Sequence, residues 1–337
     1  EVPYAFGKHI AFLVLPVVGL YRHFGLVSAL AFSFYFPLWY NALFDFHMDH
    51  LAIPILFGFF FYERKGKLYQ AISLAVLLSL VKEPFALQTA FCGLYLLARK
   101  NYLSGFFLTL FGVAYFTLAT QYMQQYFNSP FISIVGGWDL VSENTAFGWL
   151  GNSKQEIILS LITQPYFVLL EILNNEDKVK YFMYVFGALG FIPLLRPIIL
   201  LPAIPILLIS LLSNIPVHHA YNNHYTAGLV APMIIAFSEG LPSAKNLWQK
   251  INFPKYLFTP ILIGGLLLCH ILASPSPISR IFFIEKSWFY HYTVYLPSKR
   301  TQMIKSALTK YIPTNSEIVV TTQNTLNSGY LSKHKTI

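Results

Sequence analysis

The residues able to do chemistry are few, and they cluster. Asp45, His47, Asp49 and His50 form D-x-H-x-D-H inside the run FDFHMDH. In a helix, His47 and His50 would share a face, as would Asp45 and Asp49. In a strand, Asp45, His47 and Asp49 would align instead. Either way, carboxylate oxygens and imidazole nitrogens converge over a short distance. Such a set can hold a divalent metal, or bind hydroxyls and phosphate-linked groups. The plainer alternative is a hydrogen-bonded cluster that ties two helices together. The spacing matches no standard metal signature.

Lys82 and Glu83, followed by Pro84, interrupt a long apolar stretch. Pro84 disfavours helix at Glu83, which predicts a turn there. Lys82 is then either half of an ion-pair cap at that turn or a compact point charge for a phosphate, oriented by Glu83. The third cluster is His218, His219, Asn222, Asn223, His224 and Tyr225, in NIPVHHAYNNHY. It suits metal ligation, hydrogen bonds to sugar hydroxyls or proton transfer. The alternative is a polar interfacial loop. His224 and Tyr225 stand out because they open the next apolar segment. Glu239 reads as an interfacial cap, Arg196 as part of a turn, and Trp138 and Asp139 as a cover over a pocket.

The elements that must position these groups are apolar. The chain has 337 residues, 55% hydrophobic and only 11% charged, against about a quarter charged in a soluble domain. That balance excludes disorder, a collagen-like rod and a nucleic-acid-binding module, despite the net charge of +9. The pattern predicts an all-α polytopic membrane protein with about ten transmembrane helices. The segments fall near 10–20, 24–43, 51–62, 68–81, 85–98, 102–122, 181–194, 198–213, 225–240 and 256–273. Period-two alternation is absent, which argues against a β-barrel. Cys92 and Cys269 both sit in apolar runs and read as small buried hydrophobes.

Charge predicts the orientation. Five short connections hold Arg22, Arg64, Lys65, Lys67, Arg99, Lys100, Arg196, Lys245, Lys250 and Lys255 against one acid, Glu63. By the positive-inside rule these lie in the cytoplasm, which places both termini and all three polar clusters outside. Paired ionisable groups at membrane level are costly and usually functional. Four regions follow: an N-terminal transmembrane bundle (1–122), an extracytoplasmic loop (123–180), a C-terminal transmembrane bundle (181–273) and an extracytoplasmic tail (274–337). Within the loop, EIILSLITQPYFVLLEILNNEDK reads as an interfacial helix kinked at Pro165, with a re-entrant pair of half-helices as the alternative. The tail combines an amphipathic helix (SKRTQMIKSALTKYIP) with a strand (NSEIVVTTQ), a partial α/β domain with a basic surface. That surface is either simply solvated or in contact with anionic headgroups.

The runs NALFDFHMDHLAIPILFGFFFYERKGK, LAVLLSLVKEPFALQTAFCGLYLLARK and HYTAGLVAPMIIAFSEG, in this order, resemble the prokaryotic membrane-protein family known as domain of unknown function 2079. The ending SEIVVTTQNTLNSGYLSKHK is similar to the segment that follows the membrane region in that family. That family in turn resembles C-type (GT-C) glycosyltransferases. The resemblance implies a prokaryotic cytoplasmic-membrane enzyme that takes a sugar from a polyprenyl-phosphate donor on the extracytoplasmic face. It implies inverting transfer, with an acidic base in the first outer loop. No such loop follows Glu1, so the chain is expected to be cut at its N-terminus and also at its C-terminus, with the main base upstream. By the same resemblance Asp45 and His47 are the catalytic candidates within the chain. Lys82, Glu83, Asp49, His50, His224 and Tyr225 are the substrate-binding candidates. The implied partners are membrane lipid and the lipid-linked sugar, with a divalent metal as the one cofactor to consider and no nucleic acid. Two other classes remain: a transporter or flippase, and a non-catalytic module that binds lipid or a partner.

Overall fold

The computed structural model describes residues 16–44, 47–123, 126, 146–151, 154–284 and 290–296, with short pieces at 299, 302–303, 306–307, 310, 319–320 and 335–336. Val14–His270 forms one compact unit, and Ile271–Ile337 belongs to a second.

The first unit is helical. Helix α1 (16–24) ends at Gly25, whose φ of +84° lies in the left-handed region where a side chain would be strained. Helices α2 (Leu26–Phe34) and α3 (Phe36–Leu43) meet at 52°. Pro37 accounts for the bend, because it offers no N–H to the carbonyl of Ser33 one turn back. Trp39 fills that role, its indole N–H donating to Ser33 O at 2.8 Å. The next exposed carbonyl, Phe34 O, accepts from Nδ1 of buried His270 at 3.1 Å. One predicted segment (24–43) is therefore two half-helices whose break is sealed by side chains.

Helices α4 (Ala52–Arg64), α5 (Leu68–Ser79), α6 (Glu83–Ala98) and α7 (Tyr102–Leu118) follow with tight turns between them. Helices α6 and α7 approach almost backbone to backbone. A Cβ added at Gly105 would lie 2.7 Å from Leu97 N, and one at Gly112 would lie 2.7 Å from Ala86 O. Small residues at this spacing let helices pack where the lipid offers no hydrophobic drive for association.

Helices α8 (Lys154–Thr163) and α9 (Pro165–Asn174) meet at 91°, so the break at Pro165 is a right angle rather than a kink. Around them Leu150, Ile157, Val168 and Leu212 form a small core. Helix α10 (Glu176–Gly187) is capped by Asn175, whose side chain accepts from the backbone of Asp177 and Lys178.

Helix α11 (Pro197–Leu200), a 3-10 turn (Leu201–Ala203) and α12 (Ile204–Leu212) form one apolar run broken at its prolines. Helix α13 (Ala227–Lys250) carries Pro232 and Pro242 within it. Pro232 cannot donate to Gly228 O. Buried Gln88 donates instead, from Nε2 to Gly228 O at 2.7 Å and to Pro202 O at 2.8 Å. One amide on α6 thus satisfies both proline-broken elements. Helix α13 runs on to Lys250, through the stretch after Ser243 read above as a connection. Ala244, Lys245, Leu247, Gln249 and Lys250 are good helix formers, and Pro242 removes only one bond.

Among the described residues, three helices are long and apolar enough to cross a membrane: Tyr102–Met123, His224–Lys250 and Lys255–Ala273, the last containing α14 (Phe258–Ala273). Counting each bent pair as one span gives up to five. The expected number was about ten. Several apolar segments fold as helices too short to qualify; α4, with 13 residues, is about 20 Å long against a hydrocarbon layer of about 30 Å.

In the second unit, strands β1 (Val319–Val320) and β2 (Lys335–Thr336) pair in parallel, Val319 opposite Lys335. The expected strand NSEIVVTTQ contains β1.

Candidate functional site

The D-x-H-x-D-H run is neither regular helix nor strand where it is described. His47 is extended (φ −117°, ψ 145°) and caps a 3-10 turn, Met48–Leu51, that leads into α4. Its backbone N–H donates to His50 Nδ1 at 3.3 Å. The turn buries Asp49 and leaves His47 half-buried beside it. Asp45 lies outside the described residues.

Lys82 is extended ahead of α6 and serves as its N-cap. Glu83 is the first residue of that helix, not part of a turn. Proline is tolerated in a first helical turn, where N–H groups have no intrahelical acceptor, so Pro84 starts the helix here. The turn falls one residue earlier, and Lys82 is freed from Glu83 to reach across. Its Nζ lies 3.6 Å from Asp49 Oδ2 and 5.6 Å from the centre of the Tyr225 ring. Glu83 is half-buried and forms no ion pair among the described residues.

The third cluster comes in from the start of α13. Asn223 fixes it, accepting from Tyr225 N at 3.0 Å and donating to Val217 O. A 3-10 turn, His224–Thr226, then presents His224 to His47. The two imidazoles stack at 3.8 Å, 12° from parallel. Phe44 packs on both rings, 5.4 Å from His47 and 4.8 Å from His224. Below them Asn41 Nδ2 donates to Thr226 Oγ1 at 2.6 Å, joining α3 to this turn. His47, Asp49 and His224 each offer a ligand atom within 4.8 Å of the other two. Among the described residues, these three are the group that could hold a metal.

Tyr225 links this group to a second histidine. His218 meets the Tyr225 ring edge-on at 4.9 Å, and its Nδ1 lies 2.8 Å from Ser213 Oγ. Ser213 Oγ also accepts from Ile215 N at 3.0 Å, which fixes the hydroxyl beside the ring. Burial, with Lys82 and His219 nearby, pushes the His218 pKa down to about 4. Burial and Lys178 lower that of His219 as well. At neutral pH the His218 ring is therefore uncharged.

Six of the eight candidate residues therefore fall into one neighbourhood: His47, Asp49, His50, Lys82, His224 and Tyr225. Glu83 adjoins it, and Trp138 and Asp139, like Asp45, lie outside the described residues. Sequence reasoning missed Phe44, Ser213 and Asn41. Phe44 stands inside the quoted motif but carries no polar group to draw notice. It also missed the network at the other end of α4. There Glu63, read as a lone acid in a basic turn, is buried and accepts from Tyr95 Oη at 3.0 Å and Arg99 Nε at 3.2 Å. Arg64 pairs with Glu239, whose carbonyl accepts from Arg196. The dense mixture of charges at 63–67 was the available signal.

No curated protein and no solved structure matches the chain. A family model described as "Predicted membrane protein (DUF2079)" matches residues 26–327. With three to five apolar spans of its own and a match over most of its length, the chain is an integral membrane protein and belongs to that family.

Proposed function

We propose that this protein is a GT-C-like glycosyltransferase of the prokaryotic cytoplasmic membrane, using a polyprenyl-phosphate-linked sugar on the extracytoplasmic face. In this reading the shorter apolar helices also cross the membrane, which brings the crossings to about ten. Residues 1–122 and 181–273 are the two bundles, 123–180 is the outer loop with the α8–α9 pair at the interface, 274–337 is an outer tail, and both termini lie outside.

The observation that carries the reading is the meeting of Lys82, Asp49, His47 and His224 beside Tyr225 at the ends of apolar helices. A lipid phosphate needs a cation at membrane level, and Lys82 supplies one. An acceptor hydroxyl needs a base within hydrogen-bond reach. Asp45 and His47 are the candidates. The acceptor oxygen bonds to the anomeric carbon as the bond from that carbon to the phosphate oxygen breaks. The hydroxyl proton passes to the base, and the electron pair leaves with the phosphate, whose added charge Lys82 stabilises. Asp49 holds Lys82 in place, while Tyr225 and His224 line the sugar side.

The test is sugar transfer from a labelled polyprenyl-phosphate donor in membranes carrying the full-length protein. His47→Ala and Lys82→Ala are each expected to abolish transfer while expression persists. Transfer at the unmodified rate in both variants would end the assignment.

One observation favours transport instead. The α11–α12 run is broken at Pro202 and Pro205, and its freed backbone is met by Gln88, as in discontinuous transporter helices. That reading expects flux of a lipid-linked sugar in proteoliposomes with no covalent product.

A further inference from the structure

Buried polar groups are almost always paired, so an exception asks for a cause. His224 is 6% exposed, and its Nδ1 has no hydrogen-bond partner. Neither ring nitrogen of His224 makes a hydrogen bond among the described residues. The ring is wedged between Phe44 and Tyr225 and stacked on His47. Leaving that buried nitrogen unpaired costs about 1–3 kcal/mol. The adjacent Asp49 carboxylate is buried too, with its Oδ2 3.6 Å from Lys82 Nζ.

We infer that His47, Asp49 and His224 form a binding site for a borderline divalent transition metal of the zinc class. Two imidazole nitrogens and one carboxylate oxygen suit zinc, cobalt or iron far better than magnesium or calcium, which take mostly oxygen. The ligand atoms now lie within 4.8 Å of one another, whereas tetrahedral zinc holds its donors about 3.3 Å apart, at bond lengths near 2.0–2.1 Å. The site must therefore contract. The parallel rings show how: a metal cannot lie in both ring planes while these stack at 3.8 Å. His47, half-buried and at the extended entry to its turn, has the freedom to rotate; His224 does not. Three protein ligands leave a position open, and the Lys82 ammonium stands beside it. That arrangement takes an anionic oxygen of the phosphate class as the fourth ligand. Lys82 also competes with the metal for Asp49, which makes its removal informative.

The inference uses the same cluster as the transferase reading, but its test does not measure transfer. Purified full-length protein in detergent is stripped with chelator and titrated with cobalt(II), following visible ligand-field bands and calorimetric heat. One equivalent is expected to bind, with loss of at least tenfold in affinity in His224→Ala and Asp49→Asn. In Lys82→Met, affinity is expected to rise or hold. No binding by the intact protein, equal binding in His224→Ala, or weaker binding in Lys82→Met would each overturn the site. Lys82→Met removes no ligand, so it remains decisive if either ligand variant fails to fold. Metal binding without sugar transfer would end the transferase reading and leave the metal site standing. Transfer by protein that binds no cobalt would do the opposite.

Discussion

His218 offers the sharpest physical test, because its surroundings fix both the sign and the size of the effect. The ring is buried, has its Nδ1 2.8 Å from Ser213 Oγ and faces Tyr225, with Lys82 and His219 adding positive charge nearby. Its pKa falls from the ordinary 6.5 to about 4. Below pH 6.5 the unfolded chain takes up a proton at this position that the folded chain refuses. The stability contributed by the neutral ring is thus complete above pH 6.5 and is lost as pH falls toward 4. Each pH unit in that window removes about 1.4 kcal/mol, or about 3 kcal/mol over the whole window. Thermal unfolding of the protein in detergent, scanned from pH 7.5 to 4, measures it. His218→Gln can still hydrogen-bond Ser213, as donor or acceptor, but does not titrate, so its midpoint should fall much less steeply between pH 6.5 and 4. The two curves should differ most at the acid end, where the variant is the more stable protein. Parallel curves would mean that the folded ring takes up its proton as readily as the unfolded chain does, and the lowered pKa would fail.

Gly112→Val should destabilise by at least about 2 kcal/mol, since its Cβ meets the backbone of α6 at Ala86 and Ala90 with nothing able to yield; a detergent melting curve checks this. Gln88→Met removes the donor that serves Gly228 O and Pro202 O and should cost about 1–3 kcal/mol, less whatever is regained from the amide oxygen that has no partner; a melting midpoint at or above the unmodified value would refute the bridging role. Glu63→Gln should cost about 1–3 kcal/mol by the same assay, since Tyr95 and Arg99 lose the charge that organises them.

Apolar content made the membrane class legible, and the positions of most helices with it. The number of complete crossings was not legible. Hydropathy records where a segment is apolar, not whether its helix stays straight. Pro37 and Pro165 each break an apolar run, yet one bend is 52° and the other 91°. At Pro37, Trp39 and His270 reach back to close the gap. His270 is 236 residues from Phe34, so no local pattern contains that bond. Gln88 is the same case: it is a single amide in an apolar helix until Pro232 and Pro202 are placed beside it.

The site divides along the same line. Residue type marked His47, Asp49, Lys82 and His224, because ionisable side chains are conspicuous in so apolar a chain. Pairing was another matter, since Lys82 was matched to its neighbour Glu83. The observed backbone undoes that match. Pro84 fits the first turn of α6, where its missing N–H has no intrahelical acceptor, so Glu83 turns away with α6 while Lys82 stays extended and crosses to Asp49. The same logic governs His47. Its run was weighed as helix or strand, and each would have grouped different members. A 3-10 turn after an extended residue groups His47 with Asp49 and leaves His50 bonded to the chain behind it. Sequence thus names the donors, and the local backbone decides which of them meet. The clustering that results brings two histidines from distant elements face to face over a buried carboxylate. That is an expensive arrangement for a mere helix tie, when a single hydrogen bond such as Asn41 to Thr226, at 2.6 Å, suffices to join the neighbouring α3 to the His224–Thr226 turn.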